Sequence, residues 1–222
     1  MPITTYHRIA GTSLDRLAAI SDGIFAVALT LLVLDLHVPE LGRLRGGSPL
    51  WAPGSLHGES ELLHALLPLA GRLGVYLLGF LTLGMFWLGQ QSQLSHFTRS
   101  DRQLTWLHLA FLGGVSLMPF STALLAEYEA YRVALLVYWL HLLLLGLLLL
   151  GSLRYARAAG LVREDTPKGL VEVARRRIVV AQWLYAGAVL LGAVSTYLSV
   201  ALLVLLQVNS AVAPRIRPLN AF

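Results

Sequence analysis

Cysteine is absent from the 222 residues of this chain, and charged side chains make up only 13% of them. Without a thiol the protein has no disulfide, no cysteine nucleophile and no cysteine-based metal site. The scarcity of charge, together with 56% hydrophobic residues and a mean hydropathy of +0.68, excludes the composition of an ordinary soluble domain. The sequence therefore predicts a protein that is surrounded mainly by lipid.

Catalytic motifs are also missing. The chain has no HExxH zinc motif, no GxSxG nucleophile motif and no cluster of carboxylates with histidines. We therefore predict no catalytic residue, no metal site and no cofactor, and we do not expect an enzyme. The net charge of +5 alone would also suit nucleic-acid binding. In so apolar a chain, however, basic residues are more typical of cytoplasmic loops, so we expect membrane lipid as the partner and no nucleic acid.

Long apolar runs fill most of the chain. A helix needs about 20 apolar residues to cross the hydrocarbon core, so these runs predict one all-α membrane domain, 1–222, with six transmembrane helices. The expected spans are 14–36, 73–89, 104–125, 133–153, 178–194 and 198–213. A break near Ser195 separates the last two, and a single long tilted helix is the alternative. We expect an irregular loop over 40–58 and a short amphipathic segment over 59–70.

Basic residues are distributed unevenly between the two sides that six spans define. One side holds thirteen Lys and Arg residues and the other holds four. The larger set is Arg8, Arg16, Arg99, Arg102, Arg154, Arg157, Arg163, Lys168, Arg175, Arg176, Arg177, Arg215 and Arg217. The smaller set is Arg43, Arg45, Arg72 and Arg132. The positive-inside rule then predicts a multi-pass protein of the inner (plasma) membrane with both termini in the cytoplasm.

The first span carries the most informative polar residues. Arg16, Ser21 and Asp22 lie near its expected cytoplasmic end, and Asp22 follows Arg16 by six residues, within reach of the long arginine side chain. Polar groups inside a membrane helix are costly unless they are paired or face water, so this cluster is a candidate site. An ion pair at a helix end, or a contact with lipid headgroups, is the alternative.

An apolar stripe lies further along the same helix. Val27, Leu31 and Leu34 follow one another at i, i+4 and i+7 and therefore share one face. This spacing alone does not separate a pore lining from core packing or from a lipid-facing surface.

The residues of this helix resemble a known family. The segment from Arg16 to Ala26 reads RLAAISDGIFA, and 30–36 reads TLLVLDL. This resembles the RxxxFSDG signature helix of the prokaryotic relatives of transmembrane protein 175, the endosomal and lysosomal potassium channel of eukaryotes. The sequences FWL at 86–88 and SLMPFSTALL at 116–125 extend the resemblance. The chain departs from the family pattern in Ile20, where relatives have phenylalanine, and in Gln90 and Gln91, where many have a histidine pair.

The resemblance implies a homotetramer whose first helices surround a central pore. Rings of Val27, Leu31 and Leu34 would form a hydrophobic constriction, and a ring of Asp35 would lie at the outer mouth, although Asp35 as a solvated carboxylate at a helix end is the alternative. Potassium, with other monovalent cations, would be the permeant ion. The structural network of the signature helix would consist of Arg16, Ser21, Asp22 and Trp87.

The sequence therefore predicts a passive potassium-permeable cation channel. It has no TVGYG-like segment, so selectivity would not arise from a carbonyl filter. A proton-coupled or other secondary transporter is the alternative, although no internal repeat is clear. His108 and His141 lie within spans, either as packing residues with hydrogen bonds or as a proton relay.

Overall fold

The computed structural model describes residues 13–39, 49, 51, 55–164, 166 and 169–212. Seven α-helices account for most of these residues, which confirms the all-α class. The helices are α1 Leu14–Leu31, α2 Ser55–Leu66, α3 Leu69–Ser95, α4 Arg102–Glu127, α5 Arg132–Ala158, α6 Leu170–Leu190 and α7 Thr196–Val212. Short 3₁₀ turns extend α1 over Leu32–Asp35 and α6 over Leu191–Ala193.

Four helices are long and apolar enough to cross a bilayer: α1 with its 3₁₀ turn, α3, α4 and α5. The chain is therefore a multi-pass membrane protein. The other two expected spans are shorter. The first turns of α6 carry Glu172 and Arg175, and the apolar part of this helix starts only at Ile178. With 17 residues, α7 is about 25 Å long at 1.5 Å per residue, short of the hydrocarbon thickness of about 30 Å.

Side-chain caps fix the starts of two spanning helices. Ser13 Oγ accepts from the backbone N–H of Arg16 at 3.4 Å, and Asp101 accepts from the N–H of Leu104 at 2.8 Å. These bonds satisfy donors that the first turn of a helix leaves without partners. Serine and aspartate at these positions are therefore the local reason why α1 and α4 begin there.

A glycine ends α5. Gly160 has a φ of 66°, a left-handed conformation that residues with a side chain rarely adopt. The N–H of Leu161 donates to the carbonyl of Ala156 at 2.9 Å, the bond that defines a Schellman cap. The chain then turns back, and Leu161 O accepts from the N–H of Thr98 at 2.8 Å. The cap thereby ties the α5–α6 connection to the α3–α4 connection.

The helix that contains the second expected span is longer than that span. Instead of ending near 89, α3 continues to Ser95 and includes Gln90, Gln91 and Gln93. The reason is that all three amides find partners on neighbouring helices. Gln93, for example, donates to the Leu149 carbonyl at 3.2 Å and accepts from Ser152 Oγ at 3.0 Å. Paired amides do not need water, so the helix stays intact.

The segment before α3 also differs from the prediction. A helix already begins at Ser55, and the chain turns at Leu67 and Pro68 before α3 starts at Leu69. Most of the loop expected over 40–58 lies outside the described residues. So do six of the basic residues that define the charge asymmetry: Arg8, Arg43, Arg45, Lys168, Arg215 and Arg217.

One large hydrophobic core is shared by α1 and by all helices from α3 through α7. Its fully buried side chains include Phe25, Leu78, Phe111, Leu142 and Leu203. Some buried polar groups form hydrogen bonds within it. Tyr138 Oη lies 2.8 Å from Thr82 Oγ1, which also accepts from Gln207 Nε2 at 2.6 Å. This cluster joins α3, α5 and α7 inside the bundle.

Glycine allows the helices of the core to approach closely at particular points. A Cβ on Gly114 would lie 2.7 Å from Leu145 Cδ2, whereas a Cβ on the adjacent Gly113 would meet nothing within 4 Å. Of the two glycines, only Gly114 therefore permits the contact between α4 and α5. Small residues have this role generally in membrane helix packing.

The two ends of the bundle differ in chemistry. At one end Tyr155 Oη donates to Asp101 Oδ2 at 2.5 Å, and Arg157 pairs with Glu172. We call this the basic end, because Arg99, Arg102, Arg154, Arg157, Arg163 and Arg175 to Arg177 lie there, in or beside the connections between α3 and α4 and between α5 and α6.

The opposite end has few basic residues among those described. Arg72 pairs with Glu127 at 2.7 Å. Arg132 donates to the carbonyls of Gly192 and Ala193 at 3.1 and 3.0 Å, which caps the 3₁₀ turn after α6. The helix is thus interrupted between α6 and α7, close to Ser195.

Candidate functional site

The first helix packs against its own subunit along one face only. Leu17, Ser21, Phe25, Ala28 and Leu32 are buried, and their spacing of three or four residues forms a single stripe. This stripe contacts α3 and α4. The remaining faces of α1 are mostly exposed in the single chain.

The predicted constriction residues lie outside the buried stripe. Val27, Leu31 and Leu34 are 57%, 41% and 65% exposed, so they do not pack against helices of the same subunit. Val27 and Leu31 line a cavity of about 420 Å³, which is also lined by Ile20 and Ser116. Among the residues that the structure describes, these three side chains thus form a largely exposed apolar surface.

Asp22 is held by two donors from α3. Its Oδ1 accepts from Trp87 Nε1 at 2.8 Å and from Gln91 Nε2 at 2.7 Å. Trp87 and Gln91 are four residues apart and therefore lie on one face of α3. Asp22 is thereby joined to the partner Trp87 that the sequence predicted.

Ser21 begins a second, buried chain of hydrogen bonds. Its hydroxyl donates to Gln90 Oε1, and Gln90 Nε2 lies 3.2 Å from His108 Nδ1 on α4. All three residues are fully buried. This chain connects α1, α3 and α4, the three helices that meet at the buried face of α1.

Arg16 is not joined to this network. Within the described residues its side chain makes no hydrogen bond or ion pair, and Asp22 has its partners on α3 instead. The expected approach of Arg16 to Asp22 is therefore not seen within one chain. The reason is geometric: six residues place Asp22 about 240° around the helix from Arg16, because successive residues turn by about 100°.

Asp35 lies at the other end of α1, in the last position of the 3₁₀ turn. It is half-buried, and its backbone carbonyl accepts from the N–H of His37 at 3.1 Å. Asp35 therefore lies at one end of α1, and Ser21 and Asp22 lie toward the other end. Val27, Leu31 and Leu34 lie between them.

His141 has partners on a neighbouring helix. Its Nδ1 lies 2.7 Å from Ser121 Oγ and its Nε2 lies 2.9 Å from the Gly114 carbonyl. Both ring nitrogens are thereby used in contacts between α4 and α5. These contacts support the interpretation of His141 as a packing residue.

The sequence did not predict the hydrogen-bond partners of Gln90 and Gln91, two residues that depart from the family pattern. A signal was present, because Trp87, Gln90 and Gln91 follow at i, i+3 and i+4 and share one helical face. In the structure each amide contacts one of the two polar residues of the signature helix.

Comparison with protein families supports the resemblance. The family described as "Endosomal/lysosomal potassium channel TMEM175" matches residues 16–119. This range begins at the signature arginine and contains α3 and most of α4.

Individual relatives agree with the family match. A potassium channel of Streptomyces collinus is 35% identical over 136 residues, which are 60% of this chain and 59% of the relative. An endosomal/lysosomal proton channel TMEM175 of Danio rerio is 32% identical over 120 residues, 53% of this chain and 22% of the relative. The chain thus spans less than two thirds of either of these two relatives.

A solved structure is similar over a longer range. The crystal structure of a lysosomal potassium-selective channel TMEM175 homologue from Chamaesiphon minutus covers 91% of this chain and 98% of its own, with 26% sequence identity and a TM-score of 0.72.

The fold and the site together define a multi-pass helical membrane protein whose first helix leaves an apolar face uncovered. The matches confirm the resemblance predicted from that helix: the chain is similar to TMEM175 and to its bacterial homologues.

Proposed function

We propose that this chain is the subunit of a passive, potassium-permeable cation channel in which four copies of α1 surround a central pore. The observation that carries the proposal is the exposed stripe of Val27, Leu31 and Leu34, at the positions of the family's constriction. In a tetramer, the same face of each subunit would turn toward the axis and the neighbouring copies would cover much of α1. This position at the centre of a tetramer explains why each subunit buries only one face of its own α1.

The apolar ring supplies a physical basis for gating and for a moderate ion preference. Water wets a narrow apolar tube poorly, and an ion that crosses it sheds part of its hydration shell. Potassium releases water more readily than sodium does, so a potassium preference follows without a carbonyl filter. A ring of Asp35 at the outer mouth would concentrate cations there.

The proposal includes the finer topology. Six spans require α6 and α7 to cross the membrane as a pair, each with a short apolar part, and the basic end to face the cytoplasm. Both termini would then lie on the cytoplasmic side of the plasma (inner) membrane. The cap that Arg132 places on the break between α6 and α7 supports two helices rather than one.

The permeant ion is supported by the names of the relatives. The Streptomyces and Chamaesiphon proteins are named potassium channels, whereas the Danio protein is named a proton channel. The flux assay therefore includes protons as well as potassium.

The function is tested by reconstitution of the purified protein into liposomes with gradients of potassium, sodium, caesium or protons. We expect potassium to flow down its own gradient without a pH difference, and more readily than sodium. Light scattering should give four times the subunit mass of 24.2 kDa after correction for detergent. Flux that requires a proton gradient would instead establish a coupled transporter, and a monomer would contradict the shared pore.

A further inference from the structure

A second cavity, of about 450 Å³, lies between the last turns of α5 and the first turns of α6. One wall of it is apolar and consists of Leu150, Leu153 and Val171. Leu150 and Leu153 belong to α5, where both are buried, while Val171 lies in the first turn of α6. The cavity therefore sits where the apolar part of the bundle meets the basic end.

The other wall is strongly basic. It contains three arginines, Arg154, Arg157 and Arg175, and one carboxylate, that of Glu172. Two positive charges are therefore left without a compensating negative charge. Arg157 pairs with Glu172, and this hydrogen bond lowers the pKa of the Glu172 carboxyl, as does the charge of Arg175. Within the described part of the chain, neither Arg154 nor Arg175 has a hydrogen bond or an ion pair.

Two arginines without hydrogen-bond partners beside an apolar wall define the chemistry of a ligand. Guanidinium groups bind phosphate oxygens through paired hydrogen bonds. An inorganic phosphate would satisfy Arg154 and Arg175 but would leave the apolar side of the cavity without a partner. A phospholipid satisfies both walls, because its phosphate is followed by apolar chains.

We infer that this cavity binds the phosphate of an anionic phospholipid, with Arg154 and Arg175 as the ligating residues and the leucines of α5 in contact with the start of the acyl chains. Basic pockets between membrane helices bind such headgroups in other proteins. The inference rests on the proposed orientation of the basic end at the membrane surface, but it does not depend on ion conduction.

The experiment measures lipid binding directly. The protein in detergent is titrated with phosphatidylglycerol, phosphatidylcholine or inorganic phosphate, and bound lipid is counted by native mass spectrometry while Tm is followed. We compare Arg154→Gln/Arg175→Gln with Arg99→Gln/Arg176→Gln, which removes the same charge from the same end but from exposed arginines outside the cavity.

We expect phosphatidylglycerol to bind the wild-type protein and the control variant and to raise Tm in both. In the cavity variant, its affinity should fall about tenfold or more, since each basic group near a lipid surface contributes about 1 kcal/mol. Phosphatidylcholine and inorganic phosphate should have little effect.

Three outcomes would overturn the inference: equal loss of binding in both double variants, unchanged binding in the cavity variant, or equal stabilisation by inorganic phosphate. The first would indicate surface charge alone, and the last would indicate a free anion. If the double variant does not fold, Arg154→Gln and Arg175→Gln are measured singly. Because binding is measured without ion flux, failure here leaves the channel proposal unaffected, and a protein without flux is still able to retain the lipid.

Discussion

At the scale of single residues, the signature helix is fixed by side chains that contact α3. Asp22 accepts two hydrogen bonds from Trp87 and Gln91, and Ser21 donates to Gln90. Glutamine has both a donor and an acceptor, so Gln90 uses its oxygen for Ser21 and its nitrogen for His108. A residue that departs from the family pattern therefore still completes the connection.

The first prediction separates Asp22 from Arg16. In the structure Asp22→Ala removes two interhelical hydrogen bonds, whereas Arg16→Ala removes none. Hydrogen bonds between membrane helices contribute about 0.6 to 2 kcal/mol each, so Asp22→Ala should lower Tm and tetramer yield with little change in ion preference. Thermal unfolding in detergent and size-exclusion chromatography provide the measurements, with Arg16→Ala as the control for lost charge.

Two results would contradict this assignment of Asp22. One is normal stability of Asp22→Ala together with a large change in selectivity, which would place the carboxylate in the ion path. The other is an equal loss of stability in Arg16→Ala, which would show that Arg16 acquires its partner from another subunit.

At the scale of elements, close packing and helix ends determine which helices are neighbours. Gly114 allows α4 to approach α5, and Arg132 caps the turn between α6 and α7. Neither contact follows from hydropathy, because hydropathy gives the length of a span and says nothing about its neighbours.

Gly114 and Gly113 make a matched pair for a test of packing. In Gly114→Ala the new methyl group would lie 2.7 Å from Leu145 Cδ2, so the leucine must move, and overpacking of this type costs about 1 to 3 kcal/mol. Gly113→Ala meets open space and should be neutral, or more stable by up to about 1 kcal/mol through helix propensity. Thermal unfolding of both variants checks the prediction, and equal Tm values would contradict the α4–α5 contact.

The break between α6 and α7 is tested by Arg132→Ala. This change leaves the carbonyls of Gly192 and Ala193 without their donor, and the expected cost is about 1 to 2 kcal/mol. Arg72→Ala is the control at the same end of the bundle, because its ion pair with Glu127 is exposed and worth less than about 1 kcal/mol. If both variants unfold at the same temperature, the cap does not stabilise the break.

At the scale of the whole molecule, the sequence predicted what depends on local pattern. The all-α class and the long apolar helices follow from hydropathy. The end of α3 could not be predicted from local pattern. Whether Gln90 and Gln91 stay helical depends on hydrogen-bond partners that lie on α1 and α4. Sequence reasoning paired Arg16 with Asp22 by reach alone, whereas the structure gives Asp22 partners on α3, since the orientation around α1 decides which side chains meet.

The stripe of Val27, Leu31 and Leu34 shows what the fold of one chain adds to the sequence. The spacing left core packing, lipid contact and pore lining open. In the structure these side chains are exposed, so a cavity in the core of the subunit is not the expected consequence of shrinking them. Their effect on ion flux then distinguishes the pore from the lipid face.

The last prediction concerns this distinction. If four stripes surround an axis, Leu31→Ala and Leu34→Ala widen the apolar narrowing and make it easier to wet. Flux should then rise and the preference for potassium over sodium should fall, while Tm changes little. Leu144→Ala is the matched control, since Leu144 is 49% exposed on α5, away from α1, and its truncation should leave flux unchanged. Liposome flux normalised to folded tetramer gives the answer. Unchanged selectivity in Leu31→Ala and Leu34→Ala at normal folding would show that this stripe contacts lipid or a neighbouring subunit and does not form the constriction.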